Sequence, residues 1–151
     1  MSLGSVDVAV RPATVADAPQ LAALAAAGIE EQAAGRGGAI WSRREALVEP
    51  SGECLRLVGT IDGAVVAYAT VGIDELSDGA RLGLVTAIYV DPGAREVSVG
   101  EALLDAAIDW CRERRCVGID AHALPGNRAT KNFFETFGLT ARLIVVHKDL
   151  T

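Results

Sequence analysis

The chain has 151 residues, half of them hydrophobic but only 5% aromatic, and a formal net charge of −6. This length suits one domain that buries about two-thirds of the surface of its unfolded chain. The acidic balance disfavours nucleic-acid binding, because the arginines around Arg114 are diluted by acidic neighbours.

No apolar run approaches the roughly 20 residues that a membrane-spanning helix needs. Residues 1–5 lack the basic start and hydrophobic segment of a secretion signal. We therefore expect a cytoplasmic protein with no membrane and no nucleic acid among its partners. Residues 1–5 are predicted to be a disordered N-terminal tail or a cloning remnant, and residues 6–151 a single domain.

Cysteine and histidine spacing argues against a disulfide framework and against a metal site. Cys54, Cys111 and Cys116 cannot all pair, and none belongs to a C-x-x-C arrangement. No ligand spacing connects them to His122 or His147. We expect no metal, and cysteines that act as small buried hydrophobes.

The first third of the chain predicts one strand followed by helix. Apolar and polar residues alternate over Val6–Val10, and Thr14 with Asp17 approximates a capping box for the helix that follows. Helical patterning then occurs around Leu21–Ala25 and again around Ile29–Gln32. The glycines that come next interrupt it.

The middle of the chain predicts a meander of three strands. Asp62-Gly63 is a strong signal for a two-residue hairpin turn. The last strand is apolar on both faces, which is typical of a central, covered strand. The predicted strands are Cys54–Thr60, Ala64–Ile73 and Arg81–Val90.

The last third predicts alternating helices and strands. The helix Val99–Arg115 would place Leu103, Ala107, Trp110 and Cys111 on one side. Three further elements follow: a strand Val117–Ala123, a helix Asn127–Phe137 closed by Gly138, and a strand Leu139–Val146. This order predicts an α+β fold, in which helices flank a mixed, mostly antiparallel central sheet with one βαβ crossover.

The most informative segment joins the last meander strand to the next helix. The strand stops at Asp91-Pro92, a loop carries Arg95, and the helix begins after Ser98. Such a loop aims several backbone N–H groups and the positive end of the helix dipole at one point, which suits phosphates. The spacing is neither that of a P-loop nor that of a dinucleotide fingerprint.

This run resembles the phosphate-binding loop of the GNAT superfamily of acetyl-CoA-dependent N-acetyltransferases. The family reads V-x-P, Arg/Gln-x-x-Gly-x-Gly/Ala and then A-L-L at the start of a helix. This chain reads Val90-x-Pro92, Arg95-x-x-Ser98-x-Gly100 and Ala102-Leu103-Leu104. Asn127–Leu139 is similar to the second family signature, N-x-x-A-x-x-F-Y-x-x-x-G-F, and Arg11–Asp17 is similar to a common opening phrase. The resemblance implies an α/β/α sandwich with the GNAT-like acyl-CoA N-acyltransferase fold.

The resemblance also implies a binding site for acetyl-CoA. The backbone of Ile88, Tyr89 and Val90 would bond the pantetheine arm, and the Val90 N–H would serve as oxyanion donor. Asn127 would reach the pantetheine from the opposite side, and Phe134 would pack against it. The loop and the nearby helix would supply the phosphate site through Arg95, Glu96, Val97, Ser98, Val99, Gly100, Glu101 and Lys131. Singly, each side chain also fits a structural role: Asn127 as a helix N-cap, Phe134 in the core and Arg95 as a solvated charge.

Two departures from the family pattern concern proton transfer. Phe134 stands where many members have a tyrosine that protonates the leaving thiolate, and phenylalanine has no proton to give. No carboxylate stands at Thr86 or Ala87, where some members have a glutamate. His122, with Asp120 on the same strand face, is the best candidate general base, although a structural histidine is the alternative. Glu30 and Glu31 are further candidates.

A third departure concerns the loop. Ser98 and Glu101 are spaced as a capping box, which would occupy amides that a pyrophosphate needs. Glu96 and Glu101 also outweigh the charge of Arg95. We expect acetyl-CoA to bind about ten- to a hundredfold more weakly than with glycine at position 98. A serine hydroxyl that donates to a phosphate would reverse this effect.

The leading functional hypothesis is an N-acetyltransferase in which an amine of a small molecule or peptide attacks acetyl-CoA directly in a ternary complex. The acceptor pocket would be built by Gly28–Trp41 and by the Asp74–Gly79 loop, and the family favours a homodimer. The alternative is a non-catalytic GNAT-like module that binds an acyl-CoA or a protein partner. A scaffold without a nucleotide site is a third reading.

Overall fold

The computed structural model describes residues 6–44, 52–125 and 127–151, so the predicted tail 1–5 lies outside the described residues. Within these ranges one sheet holds five strands in the order β1-β2-β3-β4-β5. The strands are β1 Val8–Pro12, β2 Cys54–Ile61, β3 Ala64–Glu75, β4 Arg81–Val90 and β5 Gly118–Ala121. The helices are α1 Ala18–Ala33, α2 Gly38–Arg44, α3 Val99–Glu113 and α4 Arg128–Thr136, with short 3-10 turns at Val15–Asp17 and Pro92–Ala94.

The sheet is mixed and mostly antiparallel, as the sequence predicts. Strands β1 to β4 pair antiparallel with their neighbours, and only β4 and β5 pair in parallel, connected by α3. At the turn between β2 and β3, Asp62 and Gly63 have φ values of 49° and 85°. Two consecutive positive φ values are typical of a type I′ hairpin, which confirms that prediction.

Helices α1 and α3 cover opposite faces of the sheet. The Tyr89 ring lies against Gly28 of α1, where an added Cβ would be 3.2 Å from the ring. The neighbours of Tyr89 in the strand, Ile88 and Val90, pack instead with Val99 and Leu103 of α3. Since successive strand residues point to opposite faces, the two helices sandwich β4.

The predicted buried face of α3 is confirmed. Leu103 and Ala107 are fully buried, and Trp110 and Cys111 are nearly so. Cys54, in contrast, is exposed and Cys116 is half-buried, so the expectation of buried cysteines is confirmed only for Cys111 and is wrong for Cys54. Cys54 occupies the first position of β2.

An ion pair fastens the end of β1 to the start of α1. Asp17 is only 5% exposed, and its carboxylate accepts hydrogen bonds from Arg11 at 2.7 and 2.9 Å and from the Thr14 amide at 2.7 Å. The hydrogen bonds from Arg11 and Thr14 hold the pKa of the Asp17 carboxyl well below its usual range. The carboxylate half of the predicted capping box is therefore present.

The two helical stretches predicted before the glycines are one continuous helix, α1. Alanine-rich sequence propagates the helix through Gly28, and the break comes only at Gly35–Gly38. At Gly38 an added Cβ would lie 1.7 Å from the Gln32 carbonyl oxygen, so only glycine allows the chain to turn this closely. Helix α2 begins at that turn.

The predicted strand Leu139–Val146 is not observed. Gly138, at φ 85°, closes α4 as expected, but residues 139–151 form no regular secondary structure. The segment is held beside β5 through an ion pair between Arg142 and Asp120, and Leu143 to Val146 are 74–90% exposed. Apolar residues favour a strand, but a strand forms only when its backbone hydrogen-bonds to a neighbouring strand. This segment contacts β5 through the Arg142 side chain instead of through backbone hydrogen bonds.

None of the helices in the described ranges is both long and apolar enough to cross a membrane.

Candidate functional site

A cavity of about 650 Å³ lies where β4 and β5 separate and extends towards α1. Nine of the predicted site residues line it: Ile88, Tyr89, Val90, Arg95, Gly100, Glu101, His122, Asn127 and Phe134. The other predicted residues, Glu96, Val97, Ser98, Val99 and Lys131, are not in its lining. For the loop residues among them, the sequence predicts a role of the backbone amides rather than of the side chains.

The parallel pairing of β4 with β5 stops at Val85 and Ala121. Residues 86–90 of β4 therefore have no strand partner on that side in the described part of the chain. The Asp91 N–H donates to the Val66 carbonyl at 2.8 Å, and N–H groups in an antiparallel strand alternate between its two edges. The Val90 N–H therefore points away from β3, into the gap between β4 and β5.

The loop after β4 presents backbone N–H groups at the start of α3. The amides of Ala94, Val97 and Val99 donate to loop carbonyls. Within the described ranges, no acceptor is found for the amides of Glu96, Ser98, Gly100 and Glu101. Unpaired amides at a helix N-terminus are the donors that an anion needs.

The predicted capping box of Ser98 and Glu101 does not form. Ser98 is the N-cap of α3, but its side chain makes no capping hydrogen bond. Its backbone, at φ −67° and ψ 27°, is outside the extended conformation from which an N-cap hydroxyl reaches back to the helix. The predicted competition for the amides is therefore wrong in this structure.

Arg95 is turned towards α1. Its Nε donates to the Val90 carbonyl at 3.0 Å, its Nη2 lies 2.7 Å from Glu31 Oε2, and its guanidinium lies over the Tyr89 ring. The Arg95 and Glu31 side chains are 43% and 48% exposed. The hydrogen bond from Arg95 lowers the pKa of Glu31, so this carboxylate remains charged.

The opposite wall of the gap comes from α4 and the residue before it. Asn127 Oδ1 accepts a hydrogen bond from the Thr130 amide at 3.2 Å, so Asn127 caps the helix and also lines the cavity. Phe134, 5% exposed, packs against Val85 and Leu104. Lys131 lies near Glu135, at 3.6 Å, rather than at the cavity.

His122 lies exposed at the cavity, just past the end of β5. The expected partner Asp120 is engaged elsewhere, because Arg142 Nε donates to its Oδ1 at 2.9 Å and Arg142 Nη2 contacts its Oδ2. Arg142 lowers the pKa of Asp120. Among the described residues no hydrogen bond joins Asp120 to His122, and the two side chains interact only electrostatically.

The α1 side of the cavity contains polar residues that the motifs did not identify. Arg56 Nε donates to Thr70 Oγ1 at 3.2 Å, and Tyr68 and Trp41 lie nearby in the lining. Part of α1 and α2 builds this side, as predicted, but the Asp74–Gly79 loop contributes nothing to the lining. The sequence held a signal for Tyr68 and Thr70, since they alternate with small apolar residues in β3 and so share its other face.

The sequence profile of the acetyltransferase (GNAT) family matches residues 21–139. The chain belongs to this family. No curated protein sequence gives a significant match.

Solved structures agree with this GNAT fold. The ribosomal-protein-alanine N-acetyltransferase of Brucella melitensis biovar Abortus 2308 is 22% identical, with a TM-score of 0.68 over 97% of this chain and 100% of that chain. The glucosamine-6-phosphate N-acetyltransferase of Arabidopsis thaliana is 17% identical, with a TM-score of 0.69 over 96% and 99%. An aminoglycoside N-acetyltransferase solved in complex with CoA is 16% identical, with a TM-score of 0.71 over 98% and 99%. At these identities the likeness concerns the fold.

Proposed function

We propose that this GNAT domain is an N-acetyltransferase that moves an acetyl group from acetyl-CoA to an amine of a small molecule or peptide by direct attack in a ternary complex. The open edge of β4 supports this best. On the side facing β5, its residues 86–90 lack a strand partner within the described ranges, and the loop amides at the start of α3 follow directly. An extended amide-containing arm can pair with such an edge while its phosphates meet the loop.

The residues at the loop fit a pyrophosphate. The amides of Glu96, Ser98, Gly100 and Glu101 lack an acceptor in the described part of the chain, and the positive end of α3 lies behind them. Gly100 is buried, and a Cβ there would lie 3.4 Å from Val90 and 3.5 Å from Phe133, both of which line the cavity. The absence of that side chain leaves room for a ligand between β4 and α4.

Bound acetyl-CoA supplies an acetyl thioester, whose carbonyl carbon is open to attack by an amine. The Val90 N–H would donate to the thioester carbonyl oxygen and polarise it. His122 would remove a proton from the acceptor amine, directly or through one water molecule. Phe134 has no proton for the departing sulfur, so that proton would come from water or from the amine itself.

The acceptor would enter from the side of α1, where Trp41, Tyr68 and Thr70 line the cavity. These aromatic and hydroxyl groups suit an amine attached to a body with both apolar and polar parts. A cytoplasmic location and a homodimer belong to the proposal as well, from the sequence and the family. Size-exclusion chromatography with light scattering tests the dimer.

A non-catalytic module that binds an acyl-CoA or a protein partner is the second candidate. Phe134 favours it, because the side chain at this position is nearly buried in the core and provides no acid. Such a module would leave every amine unmodified, whether it binds an acyl-CoA or a protein.

Calorimetric titration of acetyl-CoA, followed by detection of free CoA thiol with a broad panel of amines, separates the possibilities. The proposed enzyme binds acetyl-CoA and releases CoA only when a suitable amine is present. Binding without amine-dependent release supports the module. Failure to bind acetyl-CoA, CoA or a longer acyl-CoA would refute both the enzyme and a module that binds an acyl-CoA, and would leave only a module that binds a protein partner.

A further inference from the structure

Arg95 joins the two halves of the candidate site. It belongs to the loop that carries the free amides, yet its guanidinium is held by Glu31 of α1 and by the Val90 carbonyl. Glu31 lines the cavity on the side assigned to the acceptor. One cation thus connects the proposed phosphate site to the acceptor side.

The contact with Glu31 is weak enough to exchange. Both side chains are nearly half exposed, and ion pairs of this kind contribute little because water screens them and ordering two long side chains costs entropy. A pyrophosphate offers the same guanidinium more negative charge and more acceptor oxygens. Because Arg95 belongs to the loop itself, a rotation of its side chain would bring the guanidinium from Glu31 to a pyrophosphate bound at the loop amides.

We propose that Glu31 and the pyrophosphate of acetyl-CoA compete for Arg95, so that Arg95 is a positioning residue that couples cofactor binding to the acceptor side. This inference rests on the proposed function. When the pyrophosphate takes Arg95, Glu31 loses its cation and keeps only the hydrogen bond that it accepts from the Tyr89 hydroxyl, with its carboxylate at the cavity. A carboxylate that has lost its cation attracts another, and the ammonium form of an acceptor amine supplies it.

The competition is tested with two ligands that differ in their phosphates. Acetyl-CoA contains the pyrophosphate, whereas S-acetylpantetheine ends before it. Isothermal titration measures both dissociation constants for wild type, Glu31→Gln, Arg95→Met and the double variant. Glu30→Gln serves as the matched control, because it removes the same charge from the adjacent, exposed position. Thermal unfolding verifies that each variant is folded.

We expect Glu31→Gln to tighten acetyl-CoA binding by about two- to fivefold, since this is the equilibrium effect of losing an exposed ion pair. Arg95→Met should weaken acetyl-CoA binding by about tenfold or more. In the Arg95→Met background Glu31→Gln should change nothing. S-acetylpantetheine should bind all variants alike. Glu30→Gln should bind acetyl-CoA as wild type does, because Glu30 is not part of the cavity lining and so is not the base that the sequence allowed it to be.

Four results would overturn the inference while leaving the proposed function intact. Glu31→Gln could leave acetyl-CoA affinity unchanged, its effect could persist without Arg95, or it could be equal for S-acetylpantetheine. An equal gain from Glu30→Gln would also overturn it, because the effect would then be one of general charge. No binding of acetyl-CoA by any variant, wild type included, would overturn this inference and the proposed function together.

Discussion

Replacing Gly100 by alanine should stabilise the fold and weaken acetyl-CoA binding. The added methyl would lie 3.4–3.6 Å from Val90 and Phe133, which is ordinary van der Waals contact, so the fold accommodates it. Because Gly100 lies in the first turn of α3, alanine should raise the free energy of unfolding by about 0.5–1 kcal/mol. For a chain of this length that corresponds to roughly 1–4 °C in Tm. The same methyl fills the gap where we place the cofactor, and losing one charge-assisted hydrogen bond there costs about 1.5–3 kcal/mol, or ten- to a hundredfold in affinity.

Thermal unfolding without ligand and calorimetric titration with acetyl-CoA measure the two effects. Gly118→Ala is the matched control, since its methyl would lie 3.5 Å from Leu82 and outside the cavity. The control should bind acetyl-CoA as wild type does. A Gly100→Ala variant with wild-type affinity would refute the placement of the cofactor between β4 and α4. A variant with lower Tm would refute the packing argument.

Three further predictions follow from individual side chains. Ser98→Gly should change acetyl-CoA affinity by no more than about twofold, because the Ser98 hydroxyl accepts no hydrogen bond from a loop amide. A roughly tenfold gain in affinity, measured by calorimetric titration, would mean that the capping box forms. His122→Asn should lower kcat by about a hundredfold or more with an amine that the panel identifies, and an unchanged kcat would remove His122 as the base. Asp17→Asn should lower the free energy of unfolding, and by more at pH 6 than at pH 3. The pKa of Asp17 is lower in the folded than in the unfolded state, so its carboxylate stabilises the fold fully above the unfolded-state pKa of about 3.9. This stabilisation decreases as the pH falls from about 3.9 towards the folded-state pKa. Chemical denaturation at both pH values measures the difference, and equal destabilisation would contradict the role of the Arg11–Asp17 pair.

The sequence predicted most of the fold because local signals and packing agree there. The observed β4 has the predicted bounds, and α3 buries the predicted face. A strand or helix with a clear apolar pattern has only one arrangement that buries its apolar residues. The errors occur where the secondary structure of a segment depends on a partner that is distant in sequence. Leu139–Val146 has the composition of a strand, but no residue pattern shows whether a neighbouring backbone will pair with it.

The site was predictable through its backbone and less so through its side chains. Two sequence signatures placed the loop and Asn127 on opposite sides of one cavity, and the structure brings them there. The partners of charged side chains were not predictable. Asp120 lies two residues before His122 but binds Arg142, twenty-two residues further along the chain. Glu31 and Arg95 are sixty-four residues apart in sequence, and only the fold brings them together.

Hydrogen-bonding geometry and charge act in opposite directions at this loop. The free amides of Ser98 and Glu101 favour an anion, since no serine cap competes for them. The carboxylates disfavour it, because Glu101 lines the cavity and Glu31 neutralises the nearest cation. When an anion binds Arg95 in place of Glu31, the Glu31 carboxylate would repel that anion. A cation that binds beside Glu31 offsets this repulsion. The same acidic surroundings that weaken the site for a phosphate alone therefore suit the simultaneous binding of a phosphate-bearing donor and a cationic amine.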